Sequence, residues 1–220
     1  SSFLYCERKL YLEKVFGLRE PYKAALVKGT IRHKAHEDMV NSEEELVKQI
    51  SLSMGLEDVQ ELYSKRCKVV LAAAVEENAA KLAQFDLSGD ELVEKTLPLV
   101  TREFNERAEV VCKFMQDHKL EGEDLWRELT PKIEVELRIS SEDMGFRGIV
   151  DHIEVYKEGC VPIELKTGKA PMNGVWPGHK IQLVAYALLL EEKFKTTVKE
   201  GFVKYLDTQD KRHISLNPFM

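Results

Sequence analysis

The sequence predicts an α/β (α+β) protein in which a sheet-and-helix domain is interrupted by an inserted helical subdomain. Three observations carry this. Strand-type patterning is confined to residues 131–220, whereas residues 42–127 show helical periodicity and almost no strand signal. The charge divides in the same place: the net −6 of the 220 residues resolves into −8 over residues 41–127 and +2 over the remainder. The expected division is therefore 1–40 as N-terminal helices of the core, 41–130 as a helical insertion, and 131–220 as the sheet and its helix.

At 44% hydrophobic and 32% charged, the chain is neither fibrous nor disordered and can bury a substantial core. No run of eighteen apolar residues and no charged-then-apolar leader occurs, so neither a membrane span nor a signal peptide is expected, and a cytoplasmic location is. Cysteines 6, 67, 112 and 160 form no CxxC pair, which argues against a self-contained zinc site and against a disulfide framework. Cys67, Cys112 and Cys160 lie in apolar contexts and read as small core residues. Cys6 precedes Arg8 and Lys9, cations that favour a thiolate.

Residues 3–15 read as a short helix closed near Gly17, and Pro21 marks a break. A second helix is expected from about Val27, with His33 and Glu37 one turn apart; alone, His33 and His36 read most simply as surface residues. Ser42 and Glu45 suggest a capping box opening a helix that runs to Gly55. A short helix over 57–63, an alanine-rich helix after Arg66 and a long amphipathic helix from Gly89 to His118, bent at Pro98, complete the insertion. Its acidic runs read as solvated faces.

From Pro131, Ile133, Val135, Leu137 and Ile139 alternate with Glu134, Glu136 and Arg138, the mark of a half-exposed strand; one of the glutamates could point toward a site, but alternation alone makes both ordinary outward residues. GFRGIVDHIEVY and CVPIELKT follow as strands, then a Gly/Pro-rich loop and the helix HKIQLVAYALLLEEKF, with an expected stripe of Ile181, Leu183, Val184, Ala187 and Leu188. Two short strands close the chain.

The chemistry is concentrated between Gly145 and Tyr186. Asp151 and Glu164 stand where the strands are otherwise apolar, and a buried carboxylate is costly unless it is paired or holds a metal. Lys166 follows Glu164 by two residues. Two carboxylates on neighbouring strands beside a lysine suit a hard divalent cation and phosphodiester hydrolysis. Gln182 and Tyr186 share a helix face beyond them.

Gly29 with His33, Asp151 in GxxD, Glu164-x-Lys166 and Gln182-xxx-Tyr186, in that order, resemble the RecB-type branch of the PD-(D/E)XK nuclease superfamily. YCERKLYL and the stretch from IELKTG through QLVAYALLLEE are most similar to the fourth CRISPR-associated protein family, exonucleases of spacer acquisition. The likeness covers roughly residues 3–40 and 131–206. It implies a restriction-endonuclease-like core with a mixed central sheet, and a metal-dependent DNA exonuclease acting on single-stranded or frayed ends with CRISPR integrase proteins as partners. It implies Mg²⁺ or Mn²⁺ held by His33, Asp151, Glu164 and the Leu165 backbone carbonyl, and Lys166 acting on water or phosphate. Gln182 and Tyr186 would contact DNA or hold Lys166, and Arg8 and Lys9 would bind phosphate. Cys6 would be one ligand of an iron–sulfur cluster, of the 4Fe–4S type, whose remaining ligands are expected beyond Met220, because the family's C-terminal cysteines do not occur here. The alternatives are a DNA-binding or scaffolding subunit of a helicase or integrase complex, and a repair or restriction endonuclease on the same fold.

Overall fold

The computed structural model describes residues 7–18, 21 and 23–216. Two compact units divide the chain, one of Ser1–Lys23, Glu136–Glu154 and Glu158–Met220, the other of Ala24–Val135 and Val155–Lys157.

The first unit begins with helix α1 (Glu7–Val15), after which Gly17 takes a φ of +67°, open to glycine without strain. The helical unit consists of α2 (Ala24–Asn41), α3 (Glu43–Val47), α4 (Leu56–Glu77), α5 (Ala79–Ala83), α6 (Gly89–His118) and α7 (Gly122–Glu128). Met39, Val59, Tyr63, Leu71, Phe104 and Val111 lie in its core. Helix α2 starts at Ala24, three residues before the expected Val27.

The capping box expected at Ser42 is not formed. Ser42 keeps helical backbone angles and its hydroxyl donates to the Met39 carbonyl, so it closes α2. The expected helix to Gly55 stops at Val47, because Gln49 and Ile50 donate to carbonyls three residues back and the tightened turn buries Ile50. The two helices expected after Gly55 are one. The Gly55 N–H donates to the Asp58 carboxylate at 2.8 Å, and no glycine or proline interrupts the following residues to Glu77. Helix α6 matches its expected bounds, is capped by Ser88 accepting from the Glu91 N–H, and retains Pro98 within it.

The reading of every acidic run as a solvated face is corrected by two buried networks. Glu43 Oε1 accepts from Arg107 Nε at 2.6 Å and from the Tyr63 hydroxyl at 3.0 Å, Oε2 accepts from Arg107 Nη2 at 2.9 Å, and Nη2 also donates to the Pro131 carbonyl. Glu103 pairs with Arg32 and lies 3.2 Å from His36 Nδ1. His36 is therefore a core residue and not a surface one.

The sheet runs in the order β1 (Lys132–Ser141), β2 (Phe146–Tyr156), β3 (Gly159–Lys166), β4 (Glu200–Tyr205), β5 (Asp210–Ser215). Pairing is parallel between β3 and β4 and antiparallel between β4 and β5, so the sheet is mixed. A parallel neighbour requires a crossover, and helix α8 (Pro177–Phe194) supplies it. Leu183, Ala187 and Leu190 form its buried stripe; Ile181 and Leu188, expected in that stripe, are 45% and 43% exposed. The helix is apolar on nearly all sides, which left its inward face undetermined by period alone. Gly201 on β4 lets the helix sit close, since a Cβ there would stand 2.9 Å from the Pro162 carbonyl oxygen and 3.1 Å from Leu183.

Candidate active site

Strands β2 and β3 bring the two expected carboxylates together. Asp151 Oδ2 accepts a hydrogen bond from the Leu165 N–H at 3.0 Å, which fixes it against the residue after Glu164. Glu164 is fully buried and ion-paired with Lys166. Beyond that pairing neither of its carboxylate oxygens has a well-formed hydrogen bond among the described residues. Its pKa is pushed up to about 8, first by burial and next by the Asp151 charge, with Lys166 and Tyr186 pulling it back.

Helix α8 completes the arrangement. Lys166 Nζ donates to Gln182 Oε1 at 3.2 Å, and Gln182 Nε2 donates to the Tyr186 hydroxyl at 2.6 Å. Of the two roles left open for Gln182 and Tyr186, the contacts are those of holding Lys166. Tyr186 is buried, and burial followed by the Glu164 and Asp151 charges pushes its phenol upward, so it stays protonated. Gly148 on β2 makes room for it: a Cβ there would lie 3.4 Å from the ring. His179, one turn before Gln182, contacts the Tyr205 hydroxyl at 3.2 Å and is held below its ordinary pKa by burial and then by Lys166.

Two further residues of this unit stand near the expected site residues without having been named among them. A carboxylate oxygen of Glu136 on β1 lies within 4.8 Å of one of Asp151, and the Glu136 backbone takes a φ of +51° in mid-strand. Such a φ in a non-glycine residue is a local irregularity that alternation cannot reveal. Glu134 and Glu136 are both exposed, as the alternation leads one to expect. His179 is the other, and its position three residues before Gln182 was the available signal.

The remaining expected residues are placed as follows. His33 is half-buried on α2, in the helical unit. Arg8 is exposed on α1, the side chain of Lys9 is outside the described set, and Cys6 lies outside the described residues. Cys67 and Cys112 are buried in the helical core, and burial pushes the Cys67 thiol up to about 12; Cys160, expected in the core, is half-buried on β3.

A groove of about 570 Å³ is lined by Arg138, Ile139, Ser140, Arg147, Gly148 and Ile149, and neither arginine has a carboxylate partner among the described residues. A hollow of about 640 Å³ on the helical unit, lined by Gln60, Arg102, Asn105, Glu106 and Glu109 among others, holds none of the site residues. No described helix is long and apolar enough to cross a membrane.

Glu164 fits a cation. It is a fully buried carboxylate with unfilled acceptor capacity, beside a second carboxylate oriented by a backbone N–H, and hard oxygen donors of this kind suit Mg²⁺ or Mn²⁺.

Relatives share parts of this chain. It is 37% identical over 78 residues to the CRISPR-associated exonuclease Cas4/endonuclease Cas1 fusion of Myxococcus xanthus, covering 34% of this chain and 14% of that protein. With the fusion protein of the same description from Leptospira interrogans it shares 33% identity over 103 residues, 43% of this chain and 19% of the relative. With the DNA replication ATP-dependent helicase/nuclease JHS1 of Arabidopsis thaliana it shares 26% over 93 residues, 38% of this chain and 7% of the relative. The matches thus span less than a fifth of the length of each relative. The family match is far wider, running over residues 1–216 and so including the strand carboxylates, Lys166 and the helix that holds it; the chain belongs to the PD-(D/E)XK nuclease superfamily.

Proposed function

We propose that this chain is a divalent-metal-dependent deoxyribonuclease that trims DNA ends, processing DNA for CRISPR spacer acquisition. The observation that carries the reading is the buried, incompletely satisfied Glu164 tied through Lys166 and Gln182 to Tyr186. A scaffold has no need of such a charge, since a well-packed apolar residue in its place would be neutral or stabilising.

Asp151, Glu164 and the Leu165 carbonyl would hold Mg²⁺ or Mn²⁺, with Glu136 as a nearby further carboxylate. His33 joins them in this reading on the strength of the sequence resemblance. When bound, the cation supplies Lewis acidity to the phosphate and a lower pKa for water. Lys166 donates a hydrogen bond, orienting the attacking water or stabilising charge on the phosphoryl oxygens. Gln182 holds the ammonium group by its carbonyl oxygen, and Tyr186 fixes the Gln182 amide, so the lysine is placed before DNA arrives. The water oxygen bonds to phosphorus as the bond to the leaving sugar oxygen breaks; the attacking water gives up one proton to solvent, and the leaving oxygen takes one from solvent. Arg138 and Arg147, which have no carboxylate partner among the described residues, offer positive charge to the DNA backbone.

The names of the curated relatives support the pathway: two join an exonuclease to an endonuclease of CRISPR systems, which makes an integrase the expected partner and the cytoplasm the expected location. The third joins nuclease and helicase and keeps the alternative of a helicase complex in view.

The test is a nuclease assay on linear and covalently closed circular DNA with Mn²⁺, paired with calorimetry of Mn²⁺ binding. An end-trimming enzyme degrades the linear form and spares the circle. Asp151→Ala should lose metal binding and turnover together, whereas Lys166→Ala should keep metal binding and lose turnover. Full activity in Asp151→Ala would overturn the assignment, and equal attack on the circle would replace exonuclease with endonuclease.

A further inference from the structure

The loop between β3 and α8 leaves Lys166 at one end and enters the helix that carries Gln182 at the other. Among its residues Trp176 is 47% exposed, yet it is held at both ends. Its carbonyl accepts from the His179 and Lys180 N–H groups at 2.9 and 3.2 Å, and its indole N–H donates to the Lys169 carbonyl across the loop at 3.4 Å. An exposed aromatic ordinarily lowers its free energy by finding apolar cover, so one fixed in place with its surface open is preorganised for a planar partner. The chain's other tryptophan shows the contrast: Trp126 is only partly exposed, packs against the helical core, and has the Lys132 ammonium 5.0 Å from its ring centre. Met172 in the same loop as Trp176 is 92% exposed and extends the open apolar surface.

Charge surrounds this aromatic. Lys169 and Lys180 are exposed and have no carboxylate partner among the described residues, although the chain as a whole is acidic. Trp176 and Lys180 are four residues apart and share a face at the start of α8. From Trp176 to Gln182 the helix rises by roughly 9 Å, and Gln182 touches Lys166, so the indole stands within a nucleotide or two of the lysine that acts on phosphate. An aromatic face flanked by unpaired lysines is the pattern by which proteins hold single strands, the ring taking a base and the cations taking the backbone.

We propose that this loop is a stacking platform for an unpaired nucleobase, with Trp176 as the base-binding ring and Lys169 and Lys180 holding the adjoining phosphates. It rests on the nuclease reading for its ligand and deepens it: the platform selects single-stranded or frayed DNA at the site. A base pair within an intact duplex has both faces covered by its neighbours and cannot use the ring.

The experiment needs no catalysis. The full chain in EDTA is titrated with a labelled oligothymidylate, with binding read from the label's anisotropy and stacking from tryptophan emission. Because there are two tryptophans, Trp126→Phe leaves Trp176 as sole reporter, and its emission should be quenched on binding. Trp176→Phe, reporting from Trp126, should bind with little loss and show no quench. Trp176→Ala should weaken binding by roughly 5- to 150-fold, the fold-change expected for one stacked base. Lys169→Gln and Lys180→Gln should each flatten the salt dependence by about 0.7 in the log–log slope. A relaxed, covalently closed circular duplex, which has no terminal pair, should leave Trp176 emission unchanged.

Unquenched Trp176 with oligothymidylate bound, unchanged affinity in Trp176→Ala, an equal quench by the closed circular duplex, or no binding at all would each overturn the platform. Quenching without cleavage in the Mn²⁺ assay would sink the nuclease reading and leave the platform standing; cleavage without quenching would do the reverse.

Discussion

Two buried glutamates, one in each unit, show opposite treatments of the same chemical problem. Glu43 in the helical unit is met by a forked Arg107 contact and by the Tyr63 hydroxyl, so both its oxygens are used. Glu164 in the sheet unit is the more deeply buried, faces the charge of Asp151, and has beside it the Tyr186 hydroxyl and a flexible ammonium that it shares with Gln182, with no well-formed hydrogen bond to either oxygen beyond the ion pair. Forked, fully desolvated pairing holds a fold in register; a carboxylate left short of donors keeps capacity for something else. Burial of a charge therefore identifies nothing by itself. On the proposed reading, the completeness of its hydrogen bonding separates Glu43, which serves the fold, from Glu164, which serves the site.

The comparison can be broken or sharpened in order of expected effect. Glu164→Ala should lower kcat by roughly 10³-fold or more, on the scale of removing a principal charge-stabilising group, and chelation with EDTA should abolish turnover until Mn²⁺ is restored. Arg107→Ala should leave turnover per folded molecule intact but destabilise the protein by about 3–5 kcal/mol, because Glu43 is stranded; at this chain length that is a fall in Tm of roughly 6–20 °C by calorimetry. Glu164→Gln, by contrast, should leave Tm unchanged or slightly raised. A large loss of stability there would make Glu164 a second structural glutamate and dissolve the distinction. Gln182→Ala should cost about tenfold in kcat with Mn²⁺ affinity and KM nearly unchanged, since it acts through Lys166. The smallest effect belongs to Arg138→Gln with Arg147→Gln, a rise in KM of a few-fold that shrinks as salt is added.

Much of the sheet unit was legible because its site breaks local rules. Asp151, Glu164 and Lys166 interrupt apolar strands, and Gln182 and Tyr186 fall one helical turn apart, so residue type and spacing alone isolate them. Glu136 obeyed the alternation that marks outward residues, and the backbone irregularity that accompanies its place beside Asp151 leaves no trace in residue type. The helical unit was legible as helices and not as a network. Glu43 finds Arg107 sixty-four residues away, and such a partner is set by packing of α3 against α6, not by local pattern. A weaker sign was available: Arg32 with His36, and Glu103 with Arg107, each stand one turn apart, placing polar groups where two helices meet. Helix ends fared worst, because Ser42 serves the helix before it instead of the one after it.

The hydrogen bond from the Leu165 amide to Asp151 makes one proton a spectator of the whole site. That N–H is bonded to a side chain, so its resonance frequency and its exchange with solvent depend on the electron density of one carboxylate. A titration with a diamagnetic cation followed by amide NMR should move the Leu165 cross-peak early and far, while amides bonded within the β4–β5 ladder stay still. If Asp151 holds a cation as proposed, the backbone thus carries an internal gauge of occupancy, readable without substrate and without any added label.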